Sequence, residues 1–520
     1  MNIADVFKNG AAPLDRNGRS VRIGASDVIW FSLFILLGSL AILFPFWVLG
    51  LVALVAVLGI CRPLLVYMRF GSLEVWQLLV LAALTGYIVL NYGFANLVFR
   101  VGGVPIIVGH GLMFIGLVLA VLSCRRVIIR AWAEPAMIII WTLIAFSCVH
   151  LIFDLPRYGF YALRDSSMFV EGIFLLLGFL WSTRTGSAVP IMKWLMVVFV
   201  LHWIYSLSFF WSAELNAWSP QSGIFLTVPL LGSYWTAGFY LAAGALFALL
   251  VGSHLVKWPG WTMLFLAAAQ LFGLAIHQHR SMYIGVVLSF IILLFLGERR
   301  MCAKLGLILS LALGVILLIS VLGIQLAGRV GPVSGSFLFE HAQSLSGAKD
   351  TPAVGSIYDR ENWYAEVWKR IGSSTTTVLV GEGFGQTLID FTTPEGVAVR
   401  QPHNSHLTVL ARLGALGLTL WILFHIFVLK SFIYALRRRA QLDATVSDFI
   451  LWLFLFYVLN MISSSVQPGF EFSHGAIPFY FLMGLALGII RWQRLGGTLR
   501  DDCRENPFRM RRAVASAVMP

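Results

Sequence analysis

The stretch Glu298-Arg299-Arg300-Met301-Cys302-Ala303-Lys304, followed by LGLILSLALGVILLISVLGIQL at 305–326, decides the fold class. Cations stop at Lys304 and an almost wholly apolar run begins at the next residue. A hydrocarbon layer of roughly 30 Å needs about 20 mostly apolar residues in a helix. Residues 305–326 therefore read as a membrane span entered from a basic side.

Runs of the same kind recur at 27–44, 46–61, 76–95, 104–123, 136–153, 168–181, 189–211, 234–252, 261–276, 282–297, 405–429, 447–465 and 475–491. The whole chain is 59% hydrophobic and 12% charged, with a mean hydropathy of +0.85, which excludes a water-soluble core. The expected fold class is an all-α polytopic membrane protein of about 12–14 transmembrane helices. The lower counts apply if the first two runs, split near Pro45, form one kinked or re-entrant element.

The formal charge of +13 does not indicate a nucleic-acid partner, because the cations are scattered through short connections between spans. The main basic clusters are Arg16 to Arg22, Arg62 with Arg69, Arg125 with Arg126 and Arg130, Arg299 with Arg300 and Lys304, and Arg437 to Arg439. They fall on alternate connections, so all can be cytoplasmic together. An even number of spans then places both termini inside. The expected order is a cytoplasmic segment 1–26, spans over 27–326, an outer loop 327–404, spans over 405–491 and a basic tail 492–520. No cleavable signal peptide is expected in the polar start, Met1 to Ser20, and the first helix serves as insertion signal. Cys61, Cys124, Cys148, Cys302 and Cys503 all lie outside the long loop, so no disulfide framework is expected there.

Three outward segments carry polar chemistry. The first, His277-Gln278-His279-Arg280-Ser281, places two histidines and an arginine at a membrane boundary, as a helix-end anchor or as a ligand group. The second starts from Tyr358-Asp359-Arg360-Glu361-Asn362-Trp363. Tyr358, Trp363, Tyr364, Val367, Trp368 and Ile371 share one helical face, predicting an amphipathic helix over 357–371 at the membrane interface. Gly381-Glu382-Gly383-Phe384-Gly385 follows as a sharp turn, which lacks the Lys-Ser/Thr of a phosphate-binding P-loop. The third is Arg400-Gln401-Pro402-His403-Asn404-Ser405-His406. Asn404 or Ser405 can cap the next helix, while His403 offers an imidazole able to take a proton near neutral pH.

Taken in order, these segments resemble the O-antigen ligase and O-antigen polymerase superfamily over about residues 265–430. The residues that carry the resemblance are Arg280, Arg360 to Trp363, Gly381 to Gly385, and Pro402-His403-Asn404-Ser405-His406-Leu407. They continue through Ala411-Arg412-Leu413-Gly414-Ala415-Leu416-Gly417-Leu418. The chain departs from the family at His279, where members often carry Ser, and at Arg412, where an acidic residue is common.

The resemblance implies a GT-C-like membrane glycosyltransferase of the bacterial inner membrane, working at its periplasmic face without a metal or other cofactor. Its donor would be an undecaprenyl-diphosphate-linked oligosaccharide and its acceptor a growing glycan or lipid A-core, with a chain-length regulator as a further partner. Catalytic roles fall to His403, Arg280 and Arg360. Substrate contacts fall to Arg280, Arg360, Trp363, Arg400 and Asn404, with His277, His279 and His406 as second choices. Polymerisation for exopolysaccharide or O-antigen synthesis is expected, with ligation to lipid A-core or transfer to protein as alternatives. A polysaccharide or lipid-carrier transporter is the rival of a different class. It would show paired halves around a midplane site, whereas the polar groups here gather on one outer loop.

Overall fold

The computed structural model describes residues 73–494 apart from 103, 125–127, 129–130, 186–187, 257–259, 325, 346–354 and 393–397. All described residues belong to one compact unit, 64–520. The expected spans at 27–44 and 46–61, the clusters Arg16 to Arg22 and Arg62 with Arg69, and most of the tail lie outside the described residues.

The membrane helices, in chain order, are α1 (Val75–Val89), α2 (Val108–Ser123), α3 (Pro135–Tyr158), α4 (Phe160–Val170) and α5 (Phe174–Thr185). They continue with α6 (Val189–Leu207), α7 (Ala237–Phe247), α8 (Gly260–His277), α9 (Arg280–Phe295) and α10 (Arg299–Val321). Three helices follow between the spans: α11 (Gly335–Leu345), α12 (Gly355–Ile371) and α13 (Thr375–Val380). The chain closes with α14 (Ser405–Arg437), α15 (Ala444–Val466) and α16 (Ser473–Arg494). Among the described residues nine helices, counting α4 and α5 as one, are long and apolar enough to cross a membrane. The shorter apolar helices α1, α2 and α9 occupy three further expected runs. The chain is therefore a mostly helical, multi-pass membrane protein.

The helices sort by what covers them. α16 is buried over 94% of its apolar window, whereas α10 is buried over only 28% and leaves Leu307, Leu311, Leu313, Leu317 and Leu318 exposed. In a bilayer such a face meets acyl chains and needs no protein cover. α16 lies against α5 at backbone distance: a Cβ on Gly484 would sit 1.9 Å from the Leu175 carbonyl, and one on Gly178 1.9 Å from that of Phe481. Small residues allow this approach, which supplies dispersion contacts that lipid would otherwise make.

Residues 154–167 differ from expectation. The apolar runs at 136–153 and 168–181 predict a connection here, but α3 runs on to Tyr158 and α4 starts at Phe160, with Gly159 at φ +56 as the hinge. The two carboxylates of this stretch, Asp154 and Asp165, are buried within the protein. They hide a helical segment from a reading based on apolar runs.

The long segment between α10 and α14 is built from helices and one small hairpin, β5 (Phe391–Thr392) with β6 (Ala398–Val399), numbered after the hairpins β1–β2 (Val98–Val101, Val104–Ile107) and β3–β4 (Gln221–Ser222, Val228–Pro229). Its anchor is α12. Trp363, Val367 and Ile371 pack with Leu388, Ile389, Leu407 and Ala411 as a local core. Much of the apolar stripe predicted for the membrane interface is thus spent on protein contacts, while Trp368, 56% exposed, is left outside.

Candidate functional site

Three pieces of chain converge at one end of the bundle. The first is the corner between α8 and α9. Gln278 takes φ +52 and turns the chain, His279 forms the N-cap, and Arg280 opens α9. The Gln278 side chain clasps a turn following α10: Oε1 accepts from Val330 N at 2.6 Å and Gly331 N at 3.1 Å, and Nε2 donates to Gly331 O at 2.8 Å. His277 and His279 are both buried. His277 Nε2 lies 3.1 Å from the Ser206 carbonyl, and His279 Nε2 accepts from Arg329 Nη1 at 2.9 Å.

The second piece is α12. Arg360 lies within electrostatic range of Arg280 and of His403. It forms no ion pair among the described residues, and its buried Nε lacks a hydrogen-bond partner. Burial holds the guanidinium below its ordinary range, opposed by Tyr364 and Asp359. An arginine remains charged at any physiological pH, so this is a cation without a direct ion pair among the described residues, in a confined place.

The third piece carries His403. Its backbone sits at φ +53, a conformation that L side chains adopt at a cost of about 1–3 kcal/mol and that clusters at functional sites. Gln401 and Pro402 are buried before it, Asn404 caps α14 by accepting from Leu407 N at 3.1 Å, and Ser405 Oγ accepts from Phe470 N at 3.2 Å. These contacts hold the strained turn from both sides. The imidazole meets the Trp363 ring edge-on at 5.2 Å. Burial first, and then the charge of Arg360, push its pKa down to about 4. At neutral pH it is therefore unprotonated, with a free nitrogen lone pair beside a cation.

The glycine turn has another use. Gly383 and Gly385, both at positive φ, fit where a Cβ would strike Asp154 and Tyr158 at 2.3 Å, so the turn is pressed onto the α3 end. Asp154 Oδ2 accepts from Phe384 N at 2.7 Å and Asp165 Oδ2 from Gly385 N at 3.1 Å. Arg412 lies beneath: it binds Asp165 at 2.8 Å and donates to the carbonyls of Gln386 (2.7 Å) and Gly383 (3.1 Å). Arg400 joins the same clamp, donating to Gly385 O at 2.7 Å, meeting Asp165 at 3.4 Å and lying 4.3 Å over the Tyr161 ring.

Of the residues singled out in the sequence, the structure brings Arg280, Arg360, His403 and Trp363 together. Trp363 is packed between His403 and Phe391 and is only 9% exposed, so its ring supports the imidazole. Arg400 is placed in the clamp, Asn404 at the cap, and His406 accepts from Trp421 Nε1 at 3.1 Å. Asp154, Asp165 and Arg329 carry no motif, and sequence reading assigned them no role. Glu471, equally unmarked, is 6% exposed with both carboxylate oxygens unpartnered, and its pKa is pushed up to about 7, chiefly by burial. A separate polar cluster joins Glu171 Oε1 to His110 Nε2 at 2.8 Å and to Ser473 Oγ at 2.5 Å.

In comparisons with known proteins, the chain matches no family model and no curated protein.

Proposed function

We propose that this chain is a metal-independent membrane glycosyltransferase that moves or polymerises undecaprenyl-diphosphate-linked glycan units. It works at the periplasmic face of the bacterial inner membrane, with both termini cytoplasmic. The observation that carries this reading is the convergence of Arg280, Arg360 and a neutral His403 from three separate stretches of chain. The family resemblance of the same residues supports it.

The chemistry follows from the charges. As the glycosidic bond breaks, its electron pair passes to the diphosphate oxygen, and fixed cations in a confined site stabilise that charge. Arg280 and Arg360 supply them, each able to grip phosphate with two N–H groups. The acceptor hydroxyl forms the new bond to the anomeric carbon and gives its proton to the His403 lone pair. A bound diphosphate also offsets the Arg360 charge that depresses His403, which raises the basicity of the imidazole when the donor is present.

The test is the cell-surface and secreted glycan profile of a deletion strain, complemented with wild type, Arg280→Ala, Arg360→Ala or His403→Ala at matched protein levels. Loss of long chains with single carrier-linked repeats accumulating is the expected polymerase result. Long chains trapped on the carrier would instead mark a ligase for lipid A-core, and an unchanged profile in the deletion would overturn the reading.

A further inference from the structure

We propose that Arg329 is a third anion-binding residue of this site, seated on the imidazole of His279 in place of a carboxylate and contacting the diphosphate of the lipid carrier alongside Arg280 and Arg360. The inference rests on the proposed function and adds a residue that no motif marks.

Five arginines among the described residues are held by carboxylates, Arg370 by Glu366 and four others more deeply. Arg412 and Arg400 meet Asp165, Arg439 meets Glu298 and Asp448, and Arg491 meets Glu134. Arg329 is held differently. Among the described residues it has no carboxylate partner, and its side chain bonds to His279 Nε2 at 2.9 Å. An arginine only donates, so that nitrogen must be the acceptor and the ring must be neutral. His279 is 3% exposed and also has the Gln467 amide 3.4 Å from Nδ1. The pairing therefore fixes the position of Arg329 while leaving its full positive charge uncancelled. A carboxylate at position 279 would fix it equally well and would repel a diphosphate.

The position suits the role. His279 and Arg280 are consecutive at the α8–α9 corner, and the Arg329 backbone is tied to the same corner by its N–H to Ile276 O at 3.1 Å. The Gln278 clasp on Val330 and Gly331 holds the turn rigidly. Arg329 itself remains an exposed residue, so an incoming ligand can reach it. Arg329 and Arg280 thus belong to one corner, and among the described residues neither Arg329 nor Arg360 has an ion pair, a distribution that fits an oligoanion better than a sugar.

The experiment measures binding of farnesyl diphosphate and farnesyl monophosphate to the purified full-length protein in nanodiscs. Arg329→Gln is expected to weaken diphosphate binding tenfold or more, and His279→Leu to do the same through loss of the seat. His279→Gln, which keeps an acceptor oxygen, should stay within about threefold of wild type. Wild-type affinity in Arg329→Gln together with a loss in Arg360→Gln would overturn the role of Arg329 and leave the proposed function standing. Failure of the wild type to bind farnesyl diphosphate would overturn both. Phenylglyoxal modification of wild-type Arg329, read by mass spectrometry, gives a measure independent of any variant's folding. Farnesyl diphosphate should slow it tenfold, and an unchanged rate contradicts the proposal.

Discussion

Arg412 and Asp165 are 2.8 Å apart, on α14 and α4, and both side chains are wholly removed from solvent. The pair holds the glycine turn against α3 and α4, and the same α14 begins just after His403. Removing Asp165 leaves the buried Arg412 charge without its carboxylate, which typically costs about 3–5 kcal/mol, whereas removing Arg412 leaves Asp165 with Arg400 at 3.4 Å. Asp165→Leu is expected to lower the thermal midpoint in detergent strongly, and Arg412→Met less so. The double variant should lose much less than the sum of the two, since neither charge is then left alone.

On the proposed reading, His403 sets the acid limit of transfer. Its pKa in the free protein is near 4, below the ordinary value of about 6.5. Only the neutral ring can accept a proton, so kcat/KM should stay level from pH 8 to about 5 and fall as pH drops through about 4. Bound donor raises the imidazole pKa, so the corresponding fall in kcat should begin at higher pH. The linkage has a defined sign too. A depressed histidine binds fewer protons folded than unfolded, so its effect on stability appears only as pH falls from about 6.5 toward 4, and it is a loss. His403→Ala should reduce kcat by 100-fold to 10,000-fold, the span of general-base contributions.

Glu471 works in the opposite direction. Its folded pKa of about 7 exceeds the ordinary carboxylate value, so the folded chain binds the extra proton. That contribution is complete at low pH and is lost as pH rises from about 4.5 through 7. Glu471→Gln keeps the shape without the titration. Thermal melts at pH 5 and 8 should show wild type losing stability at the higher pH by more than the variant does.

Arg280 and Arg360 differ from Arg412 in what their removal costs. Their proposed work is on the substrate, so Arg280→Ala and Arg360→Ala should leave the thermal midpoint within a few degrees of wild type. Transfer should fall 100-fold or more, the scale seen when one preorganised donor to a developing anion is removed.

The apolar runs made most of the membrane helices legible, because 20-residue hydrophobicity is a local property. The α3–α4 region escaped because Asp154 and Asp165 interrupt the pattern, and what they bind, Phe384 N and Gly385 N, lies more than 200 residues away. The glycine turn itself was legible as a sharp turn, but what it presses against was not. Its glycines answer to Asp154 and Tyr158, which sequence neighbours do not reveal. Arg280, Arg360 and His403 stood out because their order along the chain resembles a family pattern, and the structure brings Arg360 within electrostatic range of both others. Arg329 sits outside that pattern, and its meaning depends on a contact with His279 across 50 residues.

The central claim is that this cation-lined, histidine-bearing site transfers glycan from a lipid diphosphate. It is tested most directly by reconstituting the purified chain in proteoliposomes with undecaprenyl-diphosphate-linked oligosaccharide and following the lipid-linked products by mass spectrometry. The expected result is longer lipid-linked glycan and free undecaprenyl diphosphate from wild type, without added metal, and neither from His403→Ala or Arg360→Ala. Equal product from wild type and both variants, or donor moved across the bilayer with no bond made, would contradict the account.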